Sequence, residues 1–188
     1  FSDINASSST GIISLVFKTF QVKSSNFRDL ILPVTDGGPL FYIASSSSAV
    51  AKVFSIVNCS FEDITSEKST ILAAQSLPLN LTIQRCTFTN VYVLNNGILY
   101  FYRVNFVSFV FSSVTAFFSS SNSAEFQKTG SLLYVSQCQM RQSALAKVSH
   151  VKIDTHNDLS GAFLTIIGGI SLPMAVTNFT MKLDPNVI

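Results

Sequence analysis

Charge is scarce in this chain: Asp, Glu, Lys and Arg make up 12% of its 188 residues, about half the roughly 25% usual for soluble domains. What charge there is nearly cancels. Twelve basic against ten acidic residues leave a net +2, so there is no electrostatic case for a nucleic-acid partner or an anionic membrane surface. Trp is absent and Cys occurs three times. An odd count forbids complete internal pairing, and no Cys-x-x-Cys is present to nucleate a zinc site. No apolar run reaches the 18 or so residues that a membrane helix needs. No initiator Met and no charged-then-apolar leader open the chain. Helical periodicity is also missing, with Ala144–Val148 the only short helix-like stretch.

What is present is repetition. Leu81–Val91 carries alternating apolar residues into a Cys-x-Phe pair, followed by a polar residue, Asn and a β-branched residue. The phrase recurs as Phe54–Ile64 and, with Ser25 in the Cys position, as Val22–Leu30. The chain opens on the tail of one copy, Phe1-Ser2-Asp3-Ile4, and looser copies surround Phe111, Met140 and Phe179. Anchors at 1, 27, 61, 88, 111, 140 and 179 are spaced 23 to 39 residues apart, the range of a solenoid with irregular insertions. Between anchors come turn signals such as Asp36-Gly37-Gly38-Pro39 and Asn95-Asn96-Gly97, and short runs rich in Ile, Val, Leu, Phe and Tyr.

Short strands without intervening helices fit a parallel β-helix or an antiparallel sandwich, and only stacking demands that the same phrase recur. The expectation is therefore an all-β, single-stranded parallel β-helix of about six to seven irregular coils. The single domain spans residues 1–188 and is read as a fragment of a longer repeat protein, because its first residue already lies inside a repeat. Period-2 alternation turns Phe and Cys of the phrase to one face. Stacking would then align Phe27, Phe61, Phe88 and Phe111 in one interior ladder, with Ser25, Cys59, Cys86 and Phe109 beside it. The thiols are expected to be unpaired, buried, small apolar fillers.

The pattern Asn58-Cys59-Ser60-Phe61-Glu62-Asp63, Arg85-Cys86-Thr87-Phe88-Thr89-Asn90 and Gly37-Gly38-Pro39-Leu40 resembles the pectin-lyase-like superfamily of parallel β-helices. It looks closest to the Cys-x-Phe repeats of large extracellular β-helix proteins of ciliates and other protists. The resemblance spans most of the chain, weakens in the last third, and implies a right-handed coil. The paired-Asp, Gly-His-Gly and Arg-x-Lys motifs of the pectinolytic enzymes have no match here.

Four Asn-x-Ser/Thr sequons make Asn58, Asn178, Asn80 and Asn5 candidates for N-linked glycans and hence for a secretory route. Asn58 and Asn178 stand at odd offsets from their Phe anchors and should face outward, while Asn5 and Asn80 fall in expected turns. His150, Asp154, His156 and Asp158 form the one cluster that looks chemical. It can be an acid/base pair or cation site, but a solvated loop interrupting the repeat is the plainer reading. Asp29 and Asp63 share a repeat position suited to Asx turns. Tyr42, Tyr92, Tyr100 and Tyr102 would form a sugar-stacking stripe or edge the core.

No catalytic, cofactor-binding or metal-binding residues are assigned. The sequence reading is a non-catalytic structural module of an extracellular or cell-surface fibril, coat or appendage. Its partners would be copies of itself or adjoining repeats, met through open β-helix ends that lack a capping helix. The alternative is a carbohydrate-active enzyme or a glycan-binding adhesin.

Overall fold

The computed structural model describes residues 13–14, 17–32, 39–44, 50–66, 69–93, 96–118, 131–141, 146–155, 164–167 and 173–183. The chain makes six successive passes. The first contributes β1 (Ile13–Ser14), β2 (Thr19–Lys23) and β3 (Asn26–Ile31); the second, β4 (Phe41–Ala44), β5 (Lys52–Val57) and β6 (Ser60–Ser66). The third gives β7 (Ser69–Gln75), β8 (Pro78–Gln84) and β9 (Thr87–Val93), the fourth β10 (Gly97–Tyr102) and β11 (Asn105–Phe118). The fifth gives β12 (Ser131–Ser136), β13 (Gln139–Met140) and β14 (Ala146–Thr155), the sixth β15 (Leu164–Ile167) and β16 (Met174–Leu183).

These strands divide between two sheets in which every pairing is parallel. Sheet B runs β1-β4-β7-β10-β12-β15. Sheet A runs β2-β5-β8-β11-β9-β6-β3, with β13 and β14 also on β11 and β16 on β14. It curls into a half-barrel because β11 pairs with β8 along its first half and with β9 along its second.

This arrangement overturns the expected single-stranded, right-handed β-helix of six to seven coils. The chain is all-β and parallel, but it is built from two sheets, with no helix among the described residues. The physical reason lies in the corners. Ser24, Asn58, Arg85, Ser113, His150 and Asn178 take left-handed φ of 50–56° at matching points of the six passes, where Gly would be the default residue. None of them is Gly, so the sequence does not mark the bend, which separates β2 from β3, β5 from β6 and β8 from β9, while β11, β14 and β16 run on through it. Two more sets of left-handed residues lie at Ser76, Arg103 and Gln137, and at Asp29, Asp63 and Asn90.

The corners are held by hydrogen bonds between passes. Ser24 N–H donates to Val57 O, Asn58 N–H to Gln84 O and Arg85 N–H to Ser112 O, each at 3.0 Å. Side chains repeat the pattern: Arg85 Nε donates to Asn58 Oδ1 at 2.5 Å, Asn90 Nδ2 to Asp63 Oδ1 at 3.0 Å, and Arg103 Nε to Gln137 Oε1 at 2.8 Å. A polar side chain that bonds its neighbour in the stack offsets part of the left-handed penalty of roughly 1–2 kcal/mol per residue.

Inward-facing residues of both sheets form the core. Phe27 stacks on Phe61 at 5.1 Å and Phe61 on Phe88 at 5.2 Å, with ring planes within 10°. The column then passes to Ala116, not to Phe111. Phe111 belongs to the neighbouring column Val22–Ile56–Ile83–Phe111–Val148–Val176, and Phe109 lies opposite Leu81 rather than beyond Cys86. Other local expectations also change. Ala144–Val148 is not helical where described, since β14 starts at Ala146. Asn80 lies inside β8, not in a turn, and β11, β14 and β16 run for 14, 10 and 10 residues, longer than the short strands the repeats suggested.

Candidate functional site

Three features of the surface bear on function: the corner ridge of sheet A, the outer face of sheet B, and the edge formed by the last pass. The corner ridge carries a groove of about 440 Å³ lined by Ser24, Asn26, Asn58, Ser60, Arg85 and Thr87. Ser25 and Cys59 complete the lining, and the groove is open to solvent with both polar and apolar surface. Ser60 Oγ donates to Asn26 Oδ1 at 2.6 Å across two passes, so the groove is held in shape by its own side chains.

Cys59 and Cys86 lie directly behind this ridge, buried and unpaired. The Cys59 thiol donates to Val57 O at 3.4 Å and the Cys86 thiol to Gln84 O at 3.3 Å. Cys138 stands elsewhere. It follows the Gln137 corner between sheets, where Val104 N–H donates to its sulfur at 3.3 Å and its thiol faces Ser136 O. Burial pushes both Cys86 and Cys138 from 9.0 up to about 11, against the partial relief given by backbone hydrogen bonds. Such thiols are inert at neutral pH. Native protein is expected to resist iodoacetamide at pH 8, with the thiols labelled only after unfolding in urea. Rapid native labelling of Cys86 would show that it is not enclosed. The same shift sets a pH dependence. Between pH 9 and about 11 the unfolded thiols ionise while the folded ones stay protonated, so stability falls as pH rises through that window.

The outer face of sheet B carries a row of tyrosines on strands without charged residues. Its six strands contain no Asp, Glu, Lys, Arg or His. Tyr42, Ala73, Tyr100, Tyr134 and Thr165 form one row across the strands. Tyr100 and Tyr134 pack at 5.4 Å, and Tyr42 Oη donates to Gln75 Oε1 at 3.4 Å. Burial first, then the neighbouring Tyr134 and Tyr102, raise the Tyr100 hydroxyl above its ordinary value. Tyr102 lies under Arg103, whose guanidinium carbon is 4.9 Å from the ring centre. Of the four tyrosines singled out in sequence, Tyr42 and Tyr100 join the row, Tyr102 stands two residues along opposite Gln75 and Ser136, and Tyr92 is buried in the core; Tyr134, overlooked there, joins it. The missing signal was register, because Tyr134 sits in a pass with no recognisable Cys-x-Phe phrase.

The His150–Asp158 cluster is not one loop. His150 and Asp154 lie in β14, with His150 on a left-handed corner and its Nε2 3.0 Å from Asn178 Nδ2. Phe1, Asn5, His156 and Asp158 fall outside the described residues. Among the described residues no three His, Cys, Asp or Glu side chains converge as a metal site. Nor is any helix there long and apolar enough to cross a membrane. Of the sequons, Asn58 and Asn178 are exposed on the same ridge and Asn80 is half-buried in mid-strand.

At the last pass the interior columns come to the surface. Val176, Phe179 and Met181 are aligned with the buried Val148, Val151 and Ile153, yet are 49%, 36% and 38% exposed. Ile167 at the end of β15 is 45% exposed.

No family model, curated protein or solved structure matches this chain, so none of these comparisons identifies it as pectin-lyase-like.

Proposed function

We propose that this chain is a non-catalytic structural module of an extracellular or cell-surface assembly, associating with copies of itself or with adjoining repeats. The observation that carries this reading is the exposed β16 edge. Its ten residues include one charged side chain, Lys182, and its apolar residues continue core columns that are fully buried one strand earlier. A long, apolar strand edge with so little charge templates pairing with another strand. The Tyr-bearing face of sheet B, whose strands contain no charged residue, supports the same reading, since charged residues are depleted and Tyr enriched at interface cores.

Sedimentation of the purified chain over a concentration series tests it, with electron microscopy of the associated material. Association is expected to weaken sharply when Val176 and Phe179 are both replaced by Lys. A wild-type chain that stays monomeric at high concentration would remove the basis for the proposal. A second reading, glycan binding without turnover, is favoured by the Tyr42–Tyr100–Tyr134 row. It would show as retention on an immobilised polysaccharide that Tyr100→Ala abolishes.

A further inference from the structure

The groove on the corner ridge touches a sequon, and the two together single out one asparagine. We infer that Asn58 is the N-glycosylated residue of the described chain and that its first sugars lie in the groove between Ser24, Asn26, Ser60, Arg85 and Thr87. The inference rests on the extracellular reading above, because it needs a secretory route.

Asn58 is exposed, on the left-handed corner between β5 and β6, within Asn58-Cys59-Ser60. Its amide orientation is fixed by chemistry. Arg85 Nε can only donate, so the atom 2.5 Å from it must be the Asn58 carbonyl oxygen. That leaves Nδ2 pointing away from Arg85. Glycosylation joins Nδ2 to the anomeric carbon of an oligosaccharide carried on a lipid pyrophosphate. The carbon–oxygen bond to the pyrophosphate breaks, the pyrophosphate leaves with the electron pair, and the nitrogen gives up one proton. The carbonyl oxygen takes no part, so the Arg85 bond that ties two passes together survives the modification.

The surroundings suit a sugar. The groove is shallow and open to solvent, which leaves room for a sugar joined at its rim, and the hydroxyl, amide and guanidinium groups among its lining residues match sugar hydroxyls as donors and acceptors. The other described sequons fit less well. Asn80 is half-buried between Val53 and Ser108 in the middle of β8. Asn178 has its Nδ2 turned to the His150 ring at 3.0 Å. A glycan at Asn58 would cover the ridge of sheet A and leave the Tyr row of sheet B bare, which directs association away from the ridge.

The test is secretion of the full chain from cultured eukaryotic cells, followed by glycopeptide mass spectrometry. The peptide containing Asn58 is expected to carry hexosamine, and Asn58→Gln or Ser60→Ala to remove one glycan; the second variant keeps the Asn58–Arg85 bond should the first misfold. Native protein should lose this glycan to an endoglycosidase severalfold more slowly than denatured protein. Arg85→Ala should abolish that protection without changing occupancy. A bare Asn58 beside a modified Asn80 or Asn178, or a secreted chain with no glycan at all, overturns the inference. So does equal release from native and denatured protein. Sedimentation of the unglycosylated chain judges the assembly reading separately.

Discussion

Phe61→Ala is expected to lower the stability of the fold by about 3–5 kcal/mol, the usual cost of truncating a buried Phe. Phe61 is fully buried and stands between two parallel rings, Phe27 at 5.1 Å and Phe88 at 5.2 Å. Truncation therefore leaves a cavity bounded by two flat faces that cannot close on each other without shortening the spacing between strands. Offset aromatic pairs add roughly 0.5–1.5 kcal/mol beyond area burial, so Phe61→Leu should recover part of the loss but not all. Urea denaturation measures both. The Phe61 and Phe88 truncations should be non-additive in a double-mutant cycle, because the two rings are in contact. A midpoint unchanged by Phe61→Ala would mean that the stack does not exist.

Gly97→Ala is the second large effect expected. A Cβ at Gly97 would lie 2.6 Å from Tyr134 Cβ and 3.0 Å from both Ser131 O and Tyr134 N. Two of these atoms are backbone and the third is fixed to it, so no side-chain rotation relieves the contact. Strands β10 and β12, which pair from Gly97↔Ser131 to Tyr102↔Ser136, would have to separate at one end. Overpacking of this kind costs about 1–3 kcal/mol. The location of the clash gives a sharp control: Tyr134→Ala keeps the Cβ and should not rescue Gly97→Ala. Full stability of Gly97→Ala in thermal denaturation, or rescue by Tyr134→Ala, would show that the two strands are further apart.

Both predictions depend on register, and register was only partly legible in the sequence. Where the Cys-x-Phe phrase is intact, at Phe27, Phe61 and Phe88, matching by phrase put the right residues opposite each other. At Phe111 it failed, because β11 carries apolar residues at Phe106, Phe109, Phe111, Val114 and Ala116. Local alternation offers several equivalent alignments there. The small Ala116 takes the column position while a Phe five residues earlier looks like the better match. The corner ridge was hidden for a related reason. Left-handed backbone at Ser, Asn, Arg and His has no single-residue signature as Gly does, although the residue just before Ser25, Cys59 and Cys86 occupied it each time.

The sequence by itself determined that the described residues are all-β and that the chain repeats, although its anchor spacing of 23 to 39 residues is corrected by the structure, whose matching corners at Ser24, Asn58, Arg85, Ser113, His150 and Asn178 lie 27 to 37 residues apart. It also determined that Phe27, Phe61, Phe88, Cys59 and Cys86 face inward, because period-2 alternation and the burial of Phe are local properties. Only the tertiary structure decided that the repeats divide into two sheets and that β11 joins both limbs of sheet A. The same holds for the Tyr row gathered on sheet B, whose strands carry no Asp, Glu, Lys, Arg or His, and for the apolar columns that surface at Val176, Phe179 and Met181. Those properties depend on hydrogen bonds between residues about thirty positions apart, as from Arg85 N–H to Ser112 O. Such pairings are chosen by the sum of contacts along whole strands rather than by any one residue's preference.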